Sequence, residues 1–402
     1  MRSSTPALLA LSLGYFSLGT ASLAVIGLSA PIGAELNITP AAAGTLVTVF
    51  SLVFALAAPL ASVLLGRMCR KRALLLGLGL MIVGGAAAAL APDFATLTSA
   101  RVLAGLGAGV FGPAASAVGS TVVPAEQRPR ALATVFAGMT AATVLGVPLS
   151  ASAGGVVGWR WAMMGVVVLT AVAFGLVAWL LGPITPGPAP SARVFGQMVR
   201  ATGVLPMVST TLLFMTAQFV VYGVAGAYLA ARFGATQSAI SLVLFIFGIV
   251  GIIGNVSGPR AYRRLGGALT IALALAGLAI ALLALSGAPS SLALGTAVFA
   301  FWAFFSSLFM APQQTRLVEL QPEQRGILLA LNASAIYLGM SLGSLLGSGL
   351  LPELGARPLS VLALVPLACA GTAHVASVRT PIFVRDRITE GKDHVRADPR
   401  LP

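Results

Sequence analysis

A run of roughly 20 mostly apolar residues is the length that crosses a bilayer as one helix, and such runs recur along this 402-residue chain from end to end. Charges and Pro/Gly breaks set off twelve of them. They are expected at 7–30, 42–66, 73–92, 96–120, 131–154, 161–182, 204–230, 238–258, 268–287, 292–313, 327–350 and 359–380. The stretch 265–315 has no charge in 51 residues, so it must hold two spans, turning at Ser286-Gly287-Ala288-Pro289. Hydrophobic residues make up 58% of the chain and charged ones 8%, where a soluble domain carries about 25% charged residues. No soluble fold of this size has interior enough for so much apolar side chain. The expected fold class is an all-α membrane protein with twelve transmembrane helices.

The formal charge of +14 does not indicate nucleic-acid binding, because phosphate contacts need basic residues gathered on one face. Here they sit in short clusters between apolar runs. Twelve spans with the N-terminus inside place twenty Lys or Arg in cytoplasmic segments: Arg2, Arg67, Arg70, Lys71, Arg72, Arg128, Arg130, Arg193, Arg200, Arg260, Arg263, Arg264, Arg316, Arg325 and six from Arg379 onward. The outer segments hold only Arg160, Arg232 and Arg357, and Arg101 falls inside a span. That asymmetry follows the positive-inside rule and sets both termini in the cytoplasm. No cofactor or metal is expected, since Cys69, Cys369, His374 and His394 stand at no ligand spacing.

The chain repeats itself at an offset of 197: Glu126-Gln127-Arg128 onto Glu323-Gln324-Arg325, Arg67 onto Arg264, and Gly146 onto Gly343. The expected organisation is a six-helix bundle over 1–182, a Pro/Gly-rich cytoplasmic linker over 183–203, a second six-helix bundle over 204–380 and a cytoplasmic tail over 381–402. Transporters are commonly built from such repeats, with the substrate site near the midplane between them.

Four motifs give this organisation a likeness. After span two come Ala58-Pro59-Leu60 and then Gly66-Arg67-Met68-Cys69-Arg70-Lys71-Arg72; span four opens with Arg101 and continues through Gly105, Gly107 and Gly109. Span five carries Gly146-Val147-Pro148, then Gly154-Gly155 and Trp159-Arg160; span one carries Gly19-Thr20-Ala21-Ser22-Leu23 and then Pro31-Ile32. Over roughly residues 10–380 these resemble the major facilitator superfamily, in particular its bacterial sugar and drug efflux branch of arabinose-efflux-like and chloramphenicol-resistance-like members. The resemblance implies two pseudo-symmetric bundles. It also implies a cytoplasmic latch at Gly66, Arg67, Arg70 and Arg72, with Arg264 as the repeat mate of Arg67. Gly66 stands where the family's latch has Asp, Cys69 where it has Gly, and Ser22 where many relatives have Glu. The Gly/Pro motif at Gly146 and Pro148 is associated with antiporters, and Pro148 bends its helix. Gly105 and Gly109 form a small-xxx-small packing face.

The family's cavity is lined by spans one, four, seven and ten. The candidate substrate contacts are Tyr15 and Ser22, Arg101, Gln218 and Tyr222, and Trp302, joined by Asn332 in span eleven. A charge such as Arg101 costs at least about 2.5 kcal/mol in hydrocarbon unless a partner or a wet cavity meets it. No span as read contains Asp or Glu: Glu35, Asp93 and Glu353 fall in outer loops and the other acids on the cytoplasmic side. Proton relays in transporters usually use intramembrane Asp, Glu or His. The expected function is secondary export of a drug, sugar or metabolite across the bacterial cytoplasmic membrane by alternating access. Proton antiport, an uncoupled facilitator and a non-transporting sensor of the same fold all stay open. The expected partners are a small-molecule substrate, protons and the lipid bilayer, with no nucleic acid and the chain a monomer. The loops are too short to build an enzyme site.

Overall fold

A computed structural model describes residues 5–184, 192–287 and 289–379. Arg2, the middle of the 183–203 linker and the expected tail over 381–402 lie outside the described residues. Among the described residues twelve helices are long and apolar enough to cross a membrane. They are α1 (Thr5–Leu36), α2 (Ala42–Leu64), α3 (Arg70–Ala89), α4 (Phe94–Thr121), α5 (Arg130–Val156) and α6 (Trp159–Leu180), followed by α7 (Val204–Tyr222), α8 (Gln237–Leu265), α9 (Gly267–Gly287), α10 (Leu292–Leu320), α11 (Pro322–Leu354) and α12 (Ala356–Arg379). In hydrocarbon every backbone amide has to be satisfied within its own segment, which is why each apolar run becomes a helix.

The helices form two six-helix bundles, α1–α6 and α7–α12, joined where α2 packs on α11 and α5 on α8. An even number of crossings brings Thr5 and Arg379 to one end of the molecule, here called the terminal end; the opposite end is the far end. Turns as short as one residue join some neighbours. Gly158 (φ 90°) separates α5 from α6 and Gly355 (φ 78°) separates α11 from α12, 197 positions apart. Both adopt a backbone that side chains rarely tolerate. The other repeat landmarks also have matched surroundings. A Cβ on Gly146 would collide with Thr20 of α1, and one on Gly343 with the Thr216 carbonyl of α7.

Several helices run past their expected ends, α1 to Leu36, α8 to Leu265 and α11 to Leu354, so Glu35, Arg260, Arg263, Arg264 and Glu353 lie on helices and not in loops. The expected span 204–230 is broken: α7 stops at Tyr222, and a separate helix, Ala225–Phe233, follows Gly223 and Val224. The linker contains a helix, Ala192–Arg200. At the terminal end α10 runs on to Leu320, so Arg316 is not a loop residue. It is buried, and its guanidinium contacts His374 Nδ1 at 3.4 Å and donates to Ser377 Oγ at 3.2 Å on α12.

Candidate functional site

The spaced glycines of α4 set its neighbours at backbone distance. A Cβ on Gly105 would stand 2.9 Å from the Phe50 carbonyl, and one on Gly109 2.7 Å from Ala57 Cβ, both on α2. Gly107, on the opposite side, would meet Met81 N of α3 at 2.7 Å. Such close approach lets Arg101 reach across two helices. Its Nε donates to the Leu46 carbonyl at 3.2 Å, and its terminal nitrogens donate to the Ala21 and Ser22 carbonyls at 2.6 and 3.1 Å. The guanidinium carbon lies 4.5 Å from the Phe50 ring centroid. Arg101 is 2% exposed, and no carboxylate among the described residues pairs with it. A cation met only by carbonyl dipoles and a ring face is held in place while keeping its charge. Beside it lies a cavity of about 20 Å³ between α1, α3, α4 and α6, room for about one water.

The other N-terminal candidates sit on α1. Tyr15 hydroxyl donates to the Gly112 carbonyl at 2.8 Å and shares a 2.7 Å bond with Ser116 Oγ, tying α1 to α4. Ser22 Oγ is buried and makes no hydrogen bond among the described residues. In α5 a π-turn over Ala142–Gly146 precedes the helix in which Pro148 stands second. Proline has no amide to donate, and the wider turn absorbs the missing ladder bond.

In the second bundle the candidates fall into two groups. Tyr222 stacks on Phe247 at 4.7 Å and meets Trp302 edge-on at 6.1 Å, with Phe299 5.1 Å from Trp302. Trp302 Nε1 and Gln218 Oε1 are buried without hydrogen-bond partners among the described residues. Asn332 belongs to a separate cluster. Thr211 Oγ1 donates to Asn332 Oδ1 at 2.7 Å, and Gln313 Nε2 donates to the Met207 carbonyl at 2.6 Å and Thr211 Oγ1 at 3.3 Å. Asn332 Nδ2 and Gln313 Oε1 are left unpaired among the described residues. Buried polar atoms are nearly always bonded, so an unpaired set beside an aromatic box offers partners to a water or a ligand. Gln313 and Phe247 went unnoticed in the sequence. The pair Gln313-Gln314 before Thr315 and Arg316 reads there as the start of a loop.

The seam between the bundles is closed at the far end. Gln237, the first residue of α8, donates from Nε2 to the Gly27 carbonyl of α1 at 2.6 Å and to the Ala151 carbonyl of α5 at 2.9 Å. Around it the contacts are backbone-close. A Cβ on Gly44 would stand 2.6 Å from Val224 Cγ1, one on Gly248 2.6 Å from Val144 Cα, and one on Gly27 3.4 Å from Leu244 Cδ1. One on Gly226 would collide with the Ile26 carbonyl. Nearer mid-depth, Phe54 of α2 stacks on Tyr337 of α11 at 3.7 Å. Gln237 too lacked a sequence signal, since nothing in a lone Gln at a helix start announces a partner two hundred residues away.

At the terminal end the latch candidates make no such contact. Gly66 is buried in the turn after α2, Arg67, Arg72 and Arg264 are exposed, and Arg70 is half-buried. The hydrogen bonds of this loop stay inside the first bundle: Arg70 amide to the Ile184 carbonyl at 3.1 Å and Lys71 Nζ to the Ala178 carbonyl at 2.7 Å. Amides at the start of α3, that of Arg72 foremost, hold the Cys69 thiol below its ordinary pKa.

The family model of the Major Facilitator Superfamily matches residues 11–344 and again 207–397. Inner membrane transport protein YdhP of Escherichia coli K12 is 29% identical over 351 residues, covering 86% of this chain and 88% of that protein. Transcription regulatory protein OpdE of Pseudomonas aeruginosa is 30% identical over 350 residues, 84% of this chain and 86% of that protein. Among solved structures, that of a D-xylose–proton symporter superposes with a TM-score of 0.72 over 92% of this chain and 97% of that one, at 17% identity.

Proposed function

Because the chain belongs to the major facilitator superfamily, we propose that it exports a small molecule across the inner membrane by alternating access, and that this structure is its inward-facing state. The observation that carries this reading is the one-sided seam. Gln237 bridges the bundles at the far end, while the hydrogen bonds of the terminal-end loop after α2 stay inside the first bundle. The positive-inside distribution of Arg and Lys assigns the terminal end to the cytoplasm. The direction of export rests on the resemblance of Gly146 and Pro148 to the antiporter motif. The candidate ligand contacts are Tyr222, Trp302, Gln218 and Asn332 with the Phe54–Tyr337 pair above them. An aromatic lining with few donors suits a neutral or amphipathic molecule.

The drive we propose is the substrate's own gradient. Of the three far-side acids, Glu35 pairs with Arg160 at 2.8 Å, Asp93 caps α4 by accepting from the Thr96 amide at 2.7 Å, and Glu353 stands exposed at the end of α11. Arg101 has carbonyls for partners and no acid to exchange protons with. Proteoliposomes test this. Saturable counterflow of a ligand, unaltered by an imposed pH gradient, is the expected result. Flux that follows the pH gradient would overturn the uncoupled drive, and no flux across a broad ligand panel would overturn export.

The likeness to a protein named as a transcription regulator favours a second reading, a membrane sensor of the same fold. Ligand binding without flux in the same vesicles would select it.

A further inference from the structure

The far-end charges of the two bundles sit at repeat-equivalent positions with opposite outcomes. In the first bundle Glu35, at the end of α1, pairs with Arg160, at the start of α6, at 2.8 Å. The offset of 197 carries Arg160 onto Arg357 and Glu35 onto Arg232. The second bundle therefore repeats the cation and replaces its acid with another cation.

The two arginines line one open cavity of about 350 Å³ at the far surface, together with Ser290 and Gly355. Arg232 is 7% exposed, and its side chain is set: Nη1 donates to Ser290 Oγ at 2.9 Å, and the guanidinium carbon lies 5.1 Å from the Phe233 ring centroid. Arg357 is exposed at the cavity rim and takes part in no hydrogen bond or ion pair among the described residues. Neither Asp nor Glu lines the cavity; Glu353, the nearest acid in sequence, is exposed and forms no ion pair with Arg357. Two arginines lining one cavity repel each other, and their planar forks match the oxygens of a phosphate.

From this substitution we propose that the cavity between Arg232 and Arg357 binds a phosphate group, which takes the place that the Glu35 carboxylate fills in the first bundle. The cavity opens at the depth where span ends meet the membrane surface, so an anionic phospholipid headgroup is one source and free phosphate the other. Basic pockets at helix ends bind headgroups in this way. The site is separate from the transport path, and its test does not depend on flux.

The test uses the full-length protein, delipidated and examined by native mass spectrometry with phosphatidylglycerol or phosphatidylcholine, and by thermal melting with inorganic phosphate. Arg357→Gln removes one fork without breaking any bond in the protein. Arg160→Gln removes a far-end arginine outside the cavity. Retention of phosphatidylglycerol that falls about tenfold in Arg357→Gln and holds in Arg160→Gln supports the site with a lipid source. A melting rise with inorganic phosphate that Arg357→Gln abolishes, without lipid preference, supports it with a soluble one. Equal lipid retention and equal melting in wild type and Arg357→Gln overturns it, as does equal loss in both variants.

Discussion

At the two ends of the molecule the bundles face each other with different chemistry. At the far end the bundles meet through glycines, small side chains and one glutamine amide, with no ion pair across the seam among the described residues. At the terminal end each bundle presents exposed arginines, Arg67 and Arg72 on one side and Arg263 and Arg264 on the other, and none of them forms an ion pair among the described residues. Close-packed small residues release their contacts in one step when the surfaces part, and a single amide adds direction. Arginine loops hold only while a counter-charge faces them. On the proposed latch reading, Gly66 supplies no counter-charge at the terminal end, and the far-end seam is left to hold the state.

The largest disturbance of that contrast is expected from Gly226→Val. A Cβ there already meets the Ile26 carbonyl, and valine adds two methyls, so the far end cannot close. Transport should fall to background while folding is retained, read as counterflow and as the melting temperature in one preparation. Loss of folding instead would make Gly226 a packing residue only.

Gln237→Leu is the next test in size. It removes two hydrogen bonds to carbonyls of the other bundle, each worth about 0.5–1.5 kcal/mol. The sealed state should lose about tenfold in population, seen as labelling from outside of a cysteine placed at Ser348, which is buried against Gly44 across the seam. Unchanged labelling would mean that the glycines alone hold the seam.

Arg101→Met keeps the length and removes three carbonyl bonds. The expected effect is on stability, about 2–4 kcal/mol from charge-assisted bonds less the saved cost of burying the charge, with little change in ligand affinity. A selective loss of affinity would move Arg101 into the binding site.

The smallest effect concerns Cys69 at the terminal end. The amides of Arg72, Ile184 and Lys71 and the Arg72 charge favour its thiolate. A lowered pKa places the thiolate at lower pH, so alkylation should reach its plateau at a lower pH than for a free cysteine. Arg72→Gln should move that plateau upward. Conditions that close the terminal end should slow the reaction.

Much of the architecture was legible because lipid leaves a chain few options. Twelve apolar runs, the basic asymmetry and the offset of 197 each follow from solvent or duplication, and both act over whole segments. The break after Tyr222 was not legible: Gly223 is one of 46 glycines, and only tertiary packing decides which of them ends a helix. Arg316 read as a loop charge because nothing local shows that His374 and Ser377 wait on α12. The same holds for the site. Tyr222 and Trp302 could be picked as aromatics on cavity spans. Gln313 and Gln237 could not, since a polar side chain in an apolar run looks alike whether it faces a helix, a ligand or the other bundle.

The central claim is that the bundles rock about a seam now shut at the far end. Spin labels on two exposed pairs in reconstituted protein test it most directly: Thr39 with Glu353 at the far end, and Arg67 with Arg264 at the terminal end. Introducing Gln237→Leu should lengthen the first distance and shorten the second together. If both distances change in the same direction, or one changes without the other, the alternating-access account is contradicted.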